Sequence, residues 1–159
     1  PLTDLASLIS GTEVSVRSPE IFKRGQLRIA YSNQIAKGLG PITGGLIAFA
    51  PTGYFYLDHD QRNTLSTVLN VKLPFQSWAT ADYEFGSGFV NGDGPAHLPP
   101  HSVADLALGK SLGERFSVSI NALNLTNSRF LLDNSNTFGG THYIDPREVY
   151  VELRWRFHY

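Results

Sequence analysis

The sequence predicts an all-β fold: an antiparallel, up-and-down transmembrane β-barrel segment of about seven strands. Three observations lead to this prediction. Apolar and polar residues alternate in several segments, which is the period of a strand with two different faces. The connections between these segments are alternately short and long. The last segment, residues 147–159, has an apolar face without interruption.

The C-terminal segment is the clearest strand. Its apolar face consists of Val149, Val151, Leu153, Trp155, Phe157 and Tyr159. The other face carries four formal charges, on Glu148, Glu152, Arg154 and Arg156. A tilted strand needs about 9–11 residues to cross hydrocarbon, and this one is long enough. A register shift of one residue would turn these charges toward lipid, where a basic residue costs about 2–4 kcal/mol at mid-bilayer. The register is therefore fixed.

Six further segments show the same alternation. They are residues 11–17, 24–32, 63–73, 79–85, 103–109 and 116–122. Short polar turns are predicted at 18–23, 74–76 and 112–114, and long loops at 33–62, 86–100 and 125–146. Outer-membrane barrels have short periplasmic turns and longer extracellular loops, which matches this order. Bacterial single-chain barrels have an even number of strands, so seven strands predict a part of a larger barrel.

Composition excludes several classes of protein. Thirteen basic and fourteen acidic residues give a formal net charge of −1, which offers no electrostatic reason to expect nucleic acid as a partner. There is no cysteine, so disulfides and thiolate metal sites are excluded. No apolar run reaches the length of about 18 residues that a transmembrane helix needs. The chain opens on Pro1 and has no methionine, so we expect a processed form or, more readily, a piece of a longer protein.

Four segments carry a family resemblance. Residues 57–66 (LDHDQRNTLS) open a strand with a DHDQR-N-T-L motif, and residues 98–110 (LPPHSVADLALGK) lead from a loop into an aspartate-bearing strand. Residues 117–127 (SVSINALNLTN) end a strand on N-x-x-N-L-T-N, and residues 147–159 form an R-x-x-x-x-x-x-R-W-x-F terminal strand. In this order and spacing they resemble the C-terminal barrel of TonB-dependent outer-membrane receptors.

The resemblance implies a location, a function and partners. It implies part of a barrel of about 22 strands in the outer membrane of a Gram-negative-type bacterium. The parent protein would take up a scarce ligand, such as a siderophore or a glycan, with energy from TonB. Its partners would be outer-membrane lipid, the rest of the barrel, a plug domain that this chain lacks, the TonB complex and the outer-membrane assembly machinery. The assembly signal would be Trp155, Phe157 and Tyr159, although the chain continues past Phe157. No enzymatic activity or cofactor is expected.

The predicted ligand-binding residues lie in the long loops. They are Tyr54, Tyr56, His59, His97, Phe138, His142 and Tyr143. Aromatic rings there could stack on a sugar or an aromatic siderophore, or could pack the loops onto one another. Imidazoles near Asp58, Asp60 and Asp133 are a plausible transition-metal set, but no pair has a tight ligand spacing, so no metal is predicted.

Charged residues on the polar faces are predicted to line the barrel lumen. They are Asp82, Glu84, Glu152, Arg154 and Arg156. Two carboxylates two residues apart could act as a catalytic pair. Lumen charges balanced by basic residues on neighbouring strands (Lys72, Arg154, Arg156 or Arg28) are the better interpretation, because the lumen of a large barrel is polar. No catalytic residue is therefore predicted.

Two alternative functions stay open. One is a small outer-membrane barrel enzyme whose active site lies among the rim histidines and aspartates. It needs an eighth strand from residues 1–10 or 42–50, and no nucleophile with a credible partner is visible. The other is a soluble β-sandwich or lipocalin-like binding module. In that case residues 149–159 would pack their apolar side chains inward.

Overall fold

The computed structural model describes residues 6–40, 53–92, 94–134 and 140–157. Ten strands and no helix occur in these ranges. The strands are β1 (Ala6–Arg17), β2 (Gly25–Leu39), β3 (Tyr54–Tyr56), β4 (Asn63–Leu73), β5 (Ser77–Gly86), β6 (His101–Leu112), β7 (Phe116–Leu123), β8 (Leu131–Asp133), β9 (His142–Tyr143) and β10 (Glu148–Trp155). The predicted all-β class is confirmed. The described ranges contain no helix long and apolar enough to cross a membrane.

The main sheet has eight strands, seven of them in the order β1-β2-β4-β5-β6-β7-β10, with β3 added beside the end of β2. Every pairing is antiparallel, so the predicted up-and-down arrangement is confirmed. A separate two-stranded sheet joins β8 to β9. Within the described residues the main sheet is open, because β1 and β10 lie at opposite edges.

The first hairpin is longer than predicted. β1 begins at Ala6, and β2 continues to Leu39 in a region predicted as loop. The extension pairs along its whole length, from Ala6 opposite Leu39 to Arg17 opposite Arg28. Residues 33–39 lack clear alternation, so only pairing with β1 and β3 makes them a strand. Residues 6–10 belong to β1 and form no separate eighth strand, and residues 42–50 lie outside the described residues.

The registers place the apolar sides of all the long strands on one face of the sheet. Directly opposed residues share a face. One row across six strands is entirely apolar: Leu27, Leu69, Ala81, Leu106, Ala122 and Val149. The adjacent row is mostly polar: Gln26, Asn70, Thr80, Ala107, Asn121 and Tyr150. We call these two surfaces the apolar face and the polar face.

The apolar face is uncovered. Val151 is 61% exposed and Leu153 is 66% exposed, and Ile120, the partner of Val151, is also exposed. Val90, in a loop, is the one apolar side chain that is fully buried among the described residues. On the polar face, by contrast, Trp78 lies across Gly109, where an added Cβ would come within 2.3 Å of the indole ring. The sheet therefore has no conventional core on its apolar side.

Short turns and long loops lie at opposite ends of the strands. The turns at residues 18–24, 74–76 and 113–115 join β1 to β2, β4 to β5 and β6 to β7. The first, second and third loops are residues 40–62, 87–100 and 124–147, and they join the strand ends on the other side. This asymmetry is as predicted. The described parts of the three loops pack together, and we call them the loop layer.

Candidate functional site

Asp60 joins the first loop to β2 and to the second loop. Its side chain is fully buried. The Ala36 backbone N–H donates to Asp60 Oδ1 over 2.6 Å, and His97 Nε2 lies 3.0 Å from Asp60 Oδ2. The Asp60 carbonyl also accepts a 2.9 Å hydrogen bond from the Val90 N–H. One buried carboxylate residue thus fixes three segments of chain relative to each other.

The rest of the DHDQRN segment acts in the same way. Asn63 Oδ1 accepts hydrogen bonds from the Tyr31 hydroxyl and from Asn33 Nδ2, each over 2.8 Å. The Asn63 N–H donates to Ser87 Oγ over 2.9 Å, which brings the start of the second loop to β4. The buried Gln61 donates from Nε2 to Thr64 Oγ1 over 2.8 Å. The hydrogen bonds of these residues connect segments of the chain at the loop end of the sheet.

Four aromatic rings form a ladder across all three loops. The ring centroids of His59 and Phe89 are 5.9 Å apart in an edge contact, and those of Phe89 and His101 are 5.0 Å apart in a stack. His101 and Phe130 stack at 3.9 Å with nearly parallel planes. Ring contacts of this kind add about 0.5–1.5 kcal/mol each beyond the area that they bury. The ladder therefore holds the loops as one unit.

Asn124 organises the third loop. Its backbone has a φ of 46°, in the left-handed region that asparagine tolerates better than most residues. Its Oδ1 accepts from the Ser128 N–H over 2.8 Å, and its Nδ2 donates to the carbonyls of Ser128 and Asp145, each over 2.9 Å. The Asn124 N–H donates to Asp105 Oδ1 over 2.8 Å. The side chain thereby closes the loop between β7 and β10.

The second loop is locked by close backbone packing. An added Cβ at Gly88, which has a φ of +105°, would come within 1.8 Å of the Leu98 carbonyl oxygen. An added Cβ at Gly86 would come within 2.2 Å of Gln61 Oε1 and 2.5 Å of His101 Nε2. Only glycine fits at position 88, where the contact is with backbone and φ is positive, whereas a Cβ at position 86 would require the Gln61 and His101 side chains to shift. Gln61 Oε1 itself is buried and has no hydrogen-bond partner among the described residues.

A polar contact ties the second loop to the third. The Gly92 N–H donates to Asn134 Oδ1 over 2.6 Å, and Asn134 Nδ2 donates to Asn91 Oδ1 over 2.7 Å. The stack of His101, the first residue of β6, on Phe130 makes a further connection between the third loop and the strand that follows the second loop. The loop layer is therefore cross-connected by ring contacts and by hydrogen bonds.

Neither a protein-family model nor a curated protein matches this chain. Its function must be inferred from the geometry and from the residues themselves.

The predicted ligand-binding residues fall into two groups. Tyr56, His59 and His97 contact other residues. The rings of Tyr56 and His97 meet edge to face with their centroids 5.1 Å apart, and Nζ of Lys37, in β2, lies 5.0 Å from the Tyr56 ring centroid. Tyr54, His142 and Tyr143 are exposed, the last two in β9. Phe138 lies outside the described residues. Ligand binding by these residues stays a prediction.

The predicted lumen charges are arranged differently from the expectation. Asp82 lies directly opposite Asp105 in the β5–β6 register, so its nearest counterpart across the strands is another acid. Two bases expected to balance the acids have other partners. Lys72 pairs with Glu20 at a short turn, and Arg154 Nη2 lies 2.8 Å from Glu152 Oε1.

The remaining predicted charges, Glu84 and Arg156, are exposed. In the described part of the chain, no three His, Cys, Asp or Glu side chains are placed to hold a metal ion.

The C-terminal aromatic residues are exposed on the apolar face. Trp155 and Phe157 stack with their centroids 5.3 Å apart, and Tyr159 lies outside the described residues. Two central residues of the loop layer, Asn124 and Phe130, were not singled out from the sequence. Asn124 lies in the strand-end motif that carries the resemblance, so the motif itself was the signal. Phe130 has no such signal.

Proposed function

We propose that this chain is part of the wall of a TonB-dependent outer-membrane receptor, which takes up a scarce ligand of the siderophore or glycan class. The observation that carries the proposal is the continuous exposed apolar face opposite a polar face, over seven antiparallel strands. Exposed apolar surfaces of such extent mark sites of membrane or protein contact. The family is suggested by the four motif segments of the sequence.

Hydrocarbon is the environment that this face fits. Transfer of a Leu, Val or Phe side chain out of water is worth about 1.5–3 kcal/mol, and the face offers many such side chains. A soluble binding module would pack them inward, whereas Val151 and Leu153 are mostly exposed. On the polar face, Asp82, Asp105 and Arg154 would meet water in the lumen, so these three charges need not enter the bilayer.

The open sheet also favours a larger assembly. In the bilayer core every backbone N–H and C=O needs a partner, which only helices and closed barrels provide. β1 and β10 each present a free edge in the described sheet. We infer that the remaining strands of the barrel pair with these edges.

The loop layer is the proposed ligand-facing surface. Its cross-connections through Asp60 and the ring ladder make it a preorganised platform rather than a set of independent loops. The side chains of Tyr54 and Tyr143 are exposed on this platform and can stack on a sugar or an aromatic siderophore. Preorganisation lowers the entropy lost on binding.

An uptake assay tests the proposal. Cells that make the parent receptor, of which this chain would be a part, should accumulate a labelled ferric siderophore or an oligosaccharide from a panel, and collapse of the proton-motive force should abolish the accumulation. Tyr54→Ala and Tyr143→Ala should each reduce uptake severalfold, because an aromatic contact is worth about 0.5–1.5 kcal/mol.

Glu114→Ala, in an exposed short turn at the opposite end of the strands, is the control and should leave uptake unchanged. Uptake that persists without the proton-motive force, or no uptake of any ligand in the panel, would contradict the proposed function.

A further inference from the structure

Two of the short turns carry a phenylalanine at the tip. In the turn from Ile21 to Arg24, the Arg24 N–H donates to the Ile21 carbonyl over 3.0 Å. In the turn from Pro74 to Ser77, the Ser77 N–H donates to the Pro74 carbonyl over 3.2 Å. The first turn exposes 93% of Phe22 and the second exposes 85% of Phe75. These are among the most exposed apolar side chains of the described residues.

The backbone at both tips is unfavourable for a phenylalanine. Phe22 and Lys23 have φ values of 49° and 57°, and Phe75 and Gln76 have 60° and 59°. Two consecutive left-handed residues are the requirement of a type I′ hairpin turn, for which Asn-Gly is strongly preferred. A bulky residue with positive φ is an outlier. Each turn thus combines backbone strain with an exposed ring. An Asn-Gly pair at the two tip positions would avoid the strain and the exposed ring.

The tips lie at the turn end of the sheet. β2 follows the turn that carries Phe22, and β4 precedes the turn that carries Phe75. Because β2 and β4 are hydrogen-bonded neighbours, the two tips lie side by side along the sheet. The same end of the apolar face exposes Leu73, Leu112, Trp155 and Phe157.

Lys110 also lies on this face near the turn, opposite Val118, and it is exposed. Aromatic rings beside a long basic side chain are typical of the boundary between acyl chains and headgroups, where lysine can extend to the polar layer.

We propose that Phe22 and Phe75 insert into this boundary in the phospholipid leaflet at the short-turn end and anchor the barrel wall there. Lys23 and Gln76, the next residues in each turn, reach the polar headgroups. Lipid is the chosen partner because the tips lie at the same end of the sheet as four exposed apolar residues, Leu73, Leu112, Trp155 and Phe157. The inference rests on the proposed membrane-spanning wall, and it adds a defined depth for one rim of that wall.

Single cysteines test the proposal directly, because the chain contains none of its own. Phe22→Cys, Phe75→Cys, Val151→Cys and Tyr54→Cys are each labelled with a polarity-sensitive fluorophore, and the chain is reconstituted together with the remaining strands of the barrel in phosphatidylcholine vesicles. Probes at 22 and 75 should emit at shorter wavelength than in water and should be quenched by phosphatidylcholine brominated near the headgroup. The probe at 151 should respond to bromine deep in the acyl chains, and the probe at 54 should remain aqueous.

The outcomes separate the two proposals. If probes at 22 and 75 are aqueous while the probe at 151 is in lipid, the anchor is overturned, because the tips then face water or a protein, and the membrane-spanning wall stands. If the probe at 151 is also aqueous, both proposals fail.

A second variant removes the rings and relieves the strain. The turns are changed to Asn-Gly by Phe22→Asn with Lys23→Gly, and by Phe75→Asn with Gln76→Gly. The fold in detergent, followed by circular dichroism, should be retained, while partition into vesicles should fall about tenfold for each phenylalanine removed. The control variant, Tyr54→Asn on the opposite rim, should partition as the unchanged protein does. Unchanged partition of the Asn-Gly variant would overturn the anchor.

Discussion

Replacement of Asp60 by alanine should open the loop layer while the sheet stays folded. The variant leaves the Ala36 N–H without its 2.6 Å acceptor and His97 without its carboxylate partner. Each hydrogen bond to a charged group is worth about 1.5–3 kcal/mol, so the loss should reach about 3 kcal/mol. Hydrogen exchange of the Ala36 and Val90 amides in detergent-solubilised protein should accelerate about a hundredfold, since 1.4 kcal/mol corresponds to a factor of ten.

Two variants control for this effect. Asp60→Asn keeps one carbonyl oxygen for the Ala36 N–H and should therefore lose less protection. Asp145→Ala removes an exposed carboxylate from the third loop and should leave both amides protected. If exchange in Asp60→Ala matched that in Asp145→Ala, the buried carboxylate would not be the joint of the loop layer.

Arginine midway along β10, on the apolar face, should prevent stable insertion. Val151 lies opposite Ile120 in β7, and the residues in the rows around this pair are apolar. Val151→Arg should destabilise the membrane-inserted protein by about 2–4 kcal/mol, the range for a basic residue at mid-bilayer. Urea unfolding in phosphatidylcholine vesicles, followed by tryptophan fluorescence, measures the change.

The neighbouring residue supplies the matched control. Tyr150 belongs to the same strand but to the polar face, so Tyr150→Arg should change the free energy of unfolding by less than about 0.5 kcal/mol. Equal destabilisation by the two arginines would mean that the two faces of β10 do not differ in environment.

Alternation of side chains was sufficient to predict most of the sheet. Strands such as β4 and β10 alternate between an apolar side and a polar side over most of their length, and a slip of one residue would invert the two sides, so the pattern fixes both face and register. The alternation does not predict residues 33–39 of β2 or Tyr54–Tyr56 of β3. Residues 33–39 pair with β1, and the last three of them also pair with β3. Pairing between distant segments, rather than local sequence, makes those residues strands.

The contacts of the loop layer were harder to predict from the sequence. Its aromatic residues were expected to bind ligand or to pack the loops together, and contacts such as that of Tyr56 with His97 are of the packing kind. The structural roles of Asp60 and Asn124 depend on hydrogen bonds with backbone groups that are distant in the sequence. Composition and spacing do not reveal such partners, although both residues lie inside the motifs that carried the family resemblance.

Labelling of introduced cysteines in membranes tests the central claim, the assignment of the apolar face to lipid, most directly. Val151→Cys, Leu153→Cys and Tyr150→Cys are exposed to a membrane-impermeant, water-soluble maleimide in isolated outer membranes. The account predicts that cysteines at 151 and 153 stay unlabelled until detergent is added, while the cysteine at 150 reacts from the aqueous side. Rapid labelling at 151 and 153 in intact membranes, or protection of both in protein that remains soluble without lipid, would contradict it.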